Sequence, residues 1–108
     1  MKIQAEQFLS TKEKISTIQR YIIVHSILYY VMNKSFISDK KFDEVSKELV
    51  ALKKQEQEAY KQSDYYYCMY DFDGSTGFDL YDRLNEYDKE YLSFIAQMVI
   101  KSRGNNES

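Results

Sequence analysis

The chain has 108 residues, 44% of them hydrophobic and 30% charged, with a formal net charge of −2, one cysteine, three glycines and neither proline nor tryptophan. That size gives one domain with a real core, the lone Cys68 excludes an internal disulfide framework and suits a reducing compartment, and the lack of proline favours long uninterrupted helices. No apolar run reaches the about eighteen residues of a membrane span and the first residues lack a signal-peptide pattern, so a soluble cytoplasmic protein is expected.

Taken in order, residues 1–10 offer Ile3, Ala5, Phe8 and Leu9 as one side of a short docking helix. Ser10 with Glu13 matches a capping box, in which each side chain reaches the other's backbone N–H, so the first long helix starts there. Its apolar stripe of Ile15, Ile18, Ile22, Val24, Ile27, Leu28, Val31 and Met32 widens toward the C-terminal end, which is expected to be the most buried part of the domain. Ser38 then stands where an N-cap belongs and Asp39 places negative charge in a first turn. The second helix is predicted from Asp39 to about Lys61, with Phe42, Val45, Leu49 and Leu52 at spacings of three and four. The two helices form a hairpin over residues 10–62.

From Tyr60 the composition changes. Eight of the eleven tyrosines fall between Tyr60 and Tyr91, and residues 64–90 carry a formal charge of −6 against +3 for residues 1–63. The run Tyr65-Tyr66-Tyr67-Cys68-Met69-Tyr70 is β-prone but has no partner strand, and is expected to cross the hairpin in extended form. A short helix is predicted from Ser75 or Gly77, carrying Phe78, Tyr81 and Leu84. A final helix, beginning between Asn85 and Asp88, is predicted to bury Tyr91, Leu92, Ile95, Met98 and Val99 and to stop at Gly104, leaving 105–108 as a frayed tail. The fold class is all-α: a single domain of four or five helices over residues 1–104.

The stretch Tyr29-Tyr30-Val31-Met32, a polar linker, Ile37-Ser38-Asp39, Phe42-Asp43 and Glu48-Leu49 resembles the N-terminal Ia domain of bacterial NAD-dependent DNA ligases. In that family a Tyr-His pair ends the first helix and an Ile-Ser/Pro-Asp-x-x-Tyr-Asp sequence enters the second, together holding the nicotinamide mononucleotide (NMN) half of NAD. The resemblance places the stacking tyrosine at Tyr29 and the two aspartates at Asp39 and Asp43, with Tyr30 in place of the histidine and Phe42 in place of the second tyrosine. It implies NMN or NAD as the ligand. The family's catalytic lysine sits in a Lys-x-Asp-Gly motif of a nucleotidyltransferase domain, and Asp71-Phe72-Asp73-Gly74 has no lysine at the required place, so neither ligase activity nor a catalytic residue is expected.

Aromatics on facing helix ends can sandwich a pyridinium ring, and carboxylates four residues apart share a face from which to accept ribose hydroxyls. The competing reading is that Tyr29 and Phe42 pack the hairpin and Asp39 caps a helix. Asp71-Phe72-Asp73-Gly74-Ser75-Thr76 is similar to the opening motif of the haloacid dehalogenase phosphatases but lacks room for their downstream motifs. Asp71, Asp73, Ser75, Asp79 and Asp82 match positions 1, 3, 5, 9 and 12 of a calcium loop, yet Thr76 replaces its turn glycine and Asp82 its bidentate glutamate, so no metal is expected. His25 and Cys68 read as packing residues.

The acidic, tyrosine-rich half suggests a recognition surface of Tyr66, Tyr70, Asp71, Asp73, Asp79, Tyr81 and Asp82 for a partner with a basic surface. Residue usage resembles that of AT-rich Gram-positive bacteria or their phages, making a host or defence protein the expected partner and inhibition the expected effect. Nicotinamide-nucleotide binding is the alternative. Nucleic-acid binding is not expected, since no basic cluster is interleaved with the tyrosines in sequence.

Overall fold

The structure is a computed structural model, and it describes residues 10–107. The docking helix expected over residues 1–10 lies, but for Ser10, outside them. Among the described residues six helices succeed one another: α1 (Thr11–Ser26), α2 (Asp39–Gln55), α3 (Gln57–Lys61), α4 (Tyr66–Met69), α5 (Leu80–Arg83) and α6 (Glu86–Glu107). The result is the small all-α bundle that the periodicity predicts. No helix among the described residues is long and apolar enough to cross a membrane.

Both entry signals of the hairpin are realised. Ser10 Oγ accepts the Glu13 N–H at 3.1 Å while the Glu13 carboxylate returns to Ser10. Ser38 Oγ accepts the Lys41 N–H at 3.0 Å. α1 is the hub, touching α2, α3, α5 and α6. Ile15, Ile22, Ile23, Ile27 and Leu28 are fully buried, each burial contributing about 1.5–3 kcal/mol before the entropy of ordering is subtracted.

The end of α1 departs from expectation. Residues Ile27–Val31 form a π-turn, with the Met32 N–H reaching the Ile27 carbonyl at 3.0 Å. The extra residue in that turn rotates the chain beyond it, so Ile27 and Leu28 stay inside while Tyr29, Tyr30 and Val31 emerge half exposed. Val31 therefore does not share in the buried end predicted for this helix.

Four further expectations are corrected. The second helix stops at Gln55 rather than near Lys61, because Glu56 leaves helical geometry (φ −124°, ψ 59°) and α3 starts afresh. This break turns Tyr60 into the core, where its hydroxyl donates to the Met69 carbonyl at 2.6 Å. The Tyr65–Tyr70 run is one helical turn, not an extended crossing: Tyr65, Cys68, Met69 and Phe72 are buried at helical spacing, and the Tyr65 carbonyl accepts from Cys68 and Met69. Helix α5 begins only at Leu80, and Phe78 stays 64% exposed. On α6 the inward line is Leu92, Ala96 and, in part, Ile95 and Val99, leaving Tyr91 and Met98 outside, and the helix passes through Gly104 to Glu107. Leu92 is buried as predicted, and Ala96 takes the inward place expected of Tyr91 and Met98.

Candidate functional site

The π-turn delivers two successive tyrosines to one place. Tyr29 and Tyr30 meet edge to face, with ring centroids 4.8 Å apart and planes at 87°, so each keeps a face free. Opposite them the start of α2 presents Asp39, Phe42 and Asp43, Phe42 being half-buried. A third wall comes from far along the chain: Gly74, Ser75 and Thr76, with the Tyr30 hydroxyl hydrogen-bonded to Thr76 Oγ1 at 3.1 Å. His25, Ser26 and the linker Lys34–Ser38 complete a cleft of about 700 Å³. Clefts of this size suit small-molecule ligands.

All five cofactor-binding positions named from the sequence thus line one cleft. Tyr30 lines its edge, with its hydroxyl committed to Thr76. One oxygen of Asp43 pairs with Lys47 at 3.0 Å, an exposed contact of little energetic weight. Sequence reasoning missed Lys34, Phe36 and the Gly74–Thr76 wall. The wall had no local signal, because only the tertiary path of the chain brings it there.

Two glycines hold that wall in place. Gly74 has φ +86°, a region open to glycine, and a Cβ there would lie 3.2 Å from Val50 Cγ2. Gly77 lies so close to α1 that a Cβ would fall 2.1 Å from Ser26 Oγ. Arg83 fixes the loop from its other side, bridging Asp71 through both carboxylate oxygens (2.6 and 3.3 Å) and Asp79 at 3.1 Å. This guanidinium holds the Asp71 carboxyl below its ordinary value.

The residues assigned to a partner surface are therefore divided. Asp71 and Asp79 serve Arg83, Asp73 accepts the Ser75 N–H at 3.0 Å, and Tyr66 and Tyr81 are half-buried. Tyr70 and Asp82 are exposed. Among the described residues no group of His, Cys, Asp or Glu side chains is arranged to hold a metal ion.

His25 lies 4.5 Å from Tyr21 with the ring planes tilted by 50°, and lines the cleft; burial, then the positive charge of Arg103, lower its pKa from 6.5. It is neutral at neutral pH. The folded state then binds fewer protons than the unfolded chain once pH drops below 6.5, so stability is full above that value and falls as pH descends toward the folded pKa. Urea unfolding between about pH 7.5 and pH 5 should show this decline in the wild type and a flatter profile in His25→Gln. An equal decline in the variant would assign the effect elsewhere.

A family model described as the DNA ligase-like, N-terminal NAD+-binding domain matches residues 9–68, more than half of the chain. The chain belongs to this family. No curated protein and no solved structure matches it. The NAD+-binding-domain match takes in α1, α2, α3 and the first part of α4, and with them Tyr29, Tyr30, Asp39, Phe42 and Asp43. The Gly74–Thr76 wall of the cleft lies beyond the matched stretch.

Proposed function

We propose that the chain is a nicotinamide-nucleotide-binding module that takes NMN, or the NMN half of NAD, in the cleft between the α1 π-turn and the start of α2. One observation carries this: in a member of an NAD+-binding family, the five corresponding side chains converge on a single cleft of ligand size. A pyridinium ring fits between aromatic faces with carboxylates nearby, since its positive charge is favoured by both. Asp39 and Asp43 can accept ribose hydroxyls, and Lys34 and Lys40 on the same rim complement a phosphate. Tyr30 supplies an aromatic edge and Phe42 an apolar wall.

This reading draws more support than a protein partner on the acidic half, because the aspartates there already hold the cleft's outer wall. Charge reversal at Asp71 or Asp79 would unseat Arg83 and so disturb both functions at once. The discriminating experiment is calorimetric titration of the whole chain with NMN and with NAD, repeated on a Tyr29→Ala, Asp39→Ala double variant. Losing one stacking face and one charged acceptor should weaken binding about a hundredfold. Both sites are exposed, so the fold should persist. No heat at millimolar ligand, or undiminished binding by the double variant, would overturn the proposal.

A further inference from the structure

A second groove, sharing no lining residue with the first, lies where α2 and α3 face α4. Its volume is about 470 Å³ and its walls include Lys53, Lys54 and Lys61 together with Tyr60, Tyr66 and Tyr70. In sequence Lys53 and Lys54 precede Tyr60, Lys61 follows it, and Tyr66 and Tyr70 come later; the break at Glu56 and the turn before α4 bring them round one groove. The fold thus builds the interleaved basic and aromatic surface that is absent from the linear order.

The tyrosines form a run of tilted rings, Tyr60 to Tyr66 at 5.9 Å and Tyr66 to Tyr70 at 6.3 Å, with Tyr70 52% exposed at the open end. Lys53 is fixed at the inner end, its ammonium donating to the Phe72 carbonyl at 3.1 Å and lying 5.8 Å from the Tyr60 ring centre. Lys54 and Lys61 are exposed at the mouth, Lys61 with only a loose 3.9 Å contact to Glu58. The one carboxylate in the wall, Asp73, is turned to the Ser75 N–H. Three cations against one carboxylate, beside a row of aromatic rings, select a ligand that is both flat and anionic.

We infer that this groove binds a nucleotide, its base against Tyr66 and Tyr70 and its phosphate at Lys54 and Lys61. The nucleotide is free or a unit of a single strand, since both offer the same base and phosphate; stacking of bases on aromatic side chains tolerates any sequence. A protein partner is not favoured, because the lysines and the tyrosine row line one groove of about 470 Å³, a size that suits a small ligand or a single nucleotide unit.

The test uses the full chain, isotopically labelled, titrated with adenosine monophosphate and separately with a short oligothymidylate, following backbone amide shifts. Amides of Lys54, Lys61, Tyr66 and Tyr70 should shift saturably with at least one probe. Lys54→Gln with Lys61→Gln should weaken binding about tenfold, and so should raising salt from about 50 to about 200 mM for the strand. Tyr70→Leu should weaken it about fivefold or more. Binding by both probes identifies a free nucleotide as sufficient, and binding by the strand alone identifies nucleic acid. The Tyr29→Ala, Asp39→Ala variant should bind these probes as the wild type does, which separates this groove from the cleft. Absence of saturable shifts with both probes at millimolar concentration, shifts confined to the cleft, or unchanged affinity in the double lysine variant would overturn the inference.

Discussion

Replacing Gln19 with leucine should cost the fold about 3 kcal/mol, although leucine is apolar, similar in size and placed in the core. Gln19 is fully buried in the middle of α1. Its amide nitrogen donates to Ser63 Oγ at 2.9 Å, and its carbonyl oxygen accepts the Tyr65 N–H at 3.3 Å. Ser63 in turn donates to the Tyr60 carbonyl at 2.6 Å, and one helical turn earlier Ser16 Oγ accepts the Asp64 N–H at 2.9 Å. Two polar side chains of α1 thus satisfy the backbone of the turn between α3 and α4. Leucine would gain about 1–2 kcal/mol from burial but leave the buried Tyr65 N–H unpaired, at about 1–3 kcal/mol, and would forfeit both hydrogen bonds of the amide, including the one Ser63 Oγ accepts. Urea unfolding of both chains at neutral pH measures the difference. A loss below about 1 kcal/mol would mean that packing alone holds this turn.

Gly77→Ala should act on both stability and the cleft. The added methyl group would stand 2.1 Å from Ser26 Oγ and 3.1 Å from Ser26 Cβ, with Leu80 Cδ1 at 3.2 Å. Ser26 cannot easily turn away, being buried with its hydroxyl donating to the Ile22 carbonyl at 2.8 Å. The loop must then lift from α1, at a cost of about 1–3 kcal/mol. Lifting it pulls Thr76 from the Tyr30 hydroxyl and opens the third wall, so NMN affinity should fall even where the variant is fully folded. Ser26→Ala in the same chain removes the nearest atom and should restore part of both losses. A double-mutant cycle in melting temperature and affinity reads the coupling. Additive effects would show that Gly77 is not held by Ser26.

The hairpin was legible in the sequence because its signals are local. Ser10 with Glu13, Ser38 with Asp39 and the apolar spacing from Phe42 to Leu52 need only neighbouring residues to act. The cleft was legible in part for the same reason, since Tyr29, Asp39 and Phe42 sit at the two ends of one short connection. The π-turn was not legible, because its apolar residues read equally well as α-helix and tertiary contact decides the extra residue. The tyrosines misled for a physical reason: a ring with a polar tip suits both core and surface. Tyr60 and Tyr65 lie inside, Tyr70 and Tyr87 outside, and the high β-propensity of the run hid the helical spacing of Tyr65, Cys68, Met69 and Phe72. The loop wall at Gly74–Thr76 reaches the cleft only through the tertiary path of the chain, and the lysine–tyrosine groove, though its residues lie between Val50 and Asp73, depends on the break at Glu56 and the turn before α4, which no local pattern announces.

Cys68 is 1% exposed, its thiol is held 3.4 Å from the Tyr65 carbonyl, and burial pushes its pKa up to about 12. Only the thiolate attacks a disulfide reagent, so the closed molecule is inert to one and reaction must await an opening of the segment around α4. The sole sulfhydryl of the chain therefore serves as a clock: its labelling rate counts how often the α4 turn comes undone, and a ligand held against Tyr66 and Tyr70 should slow it.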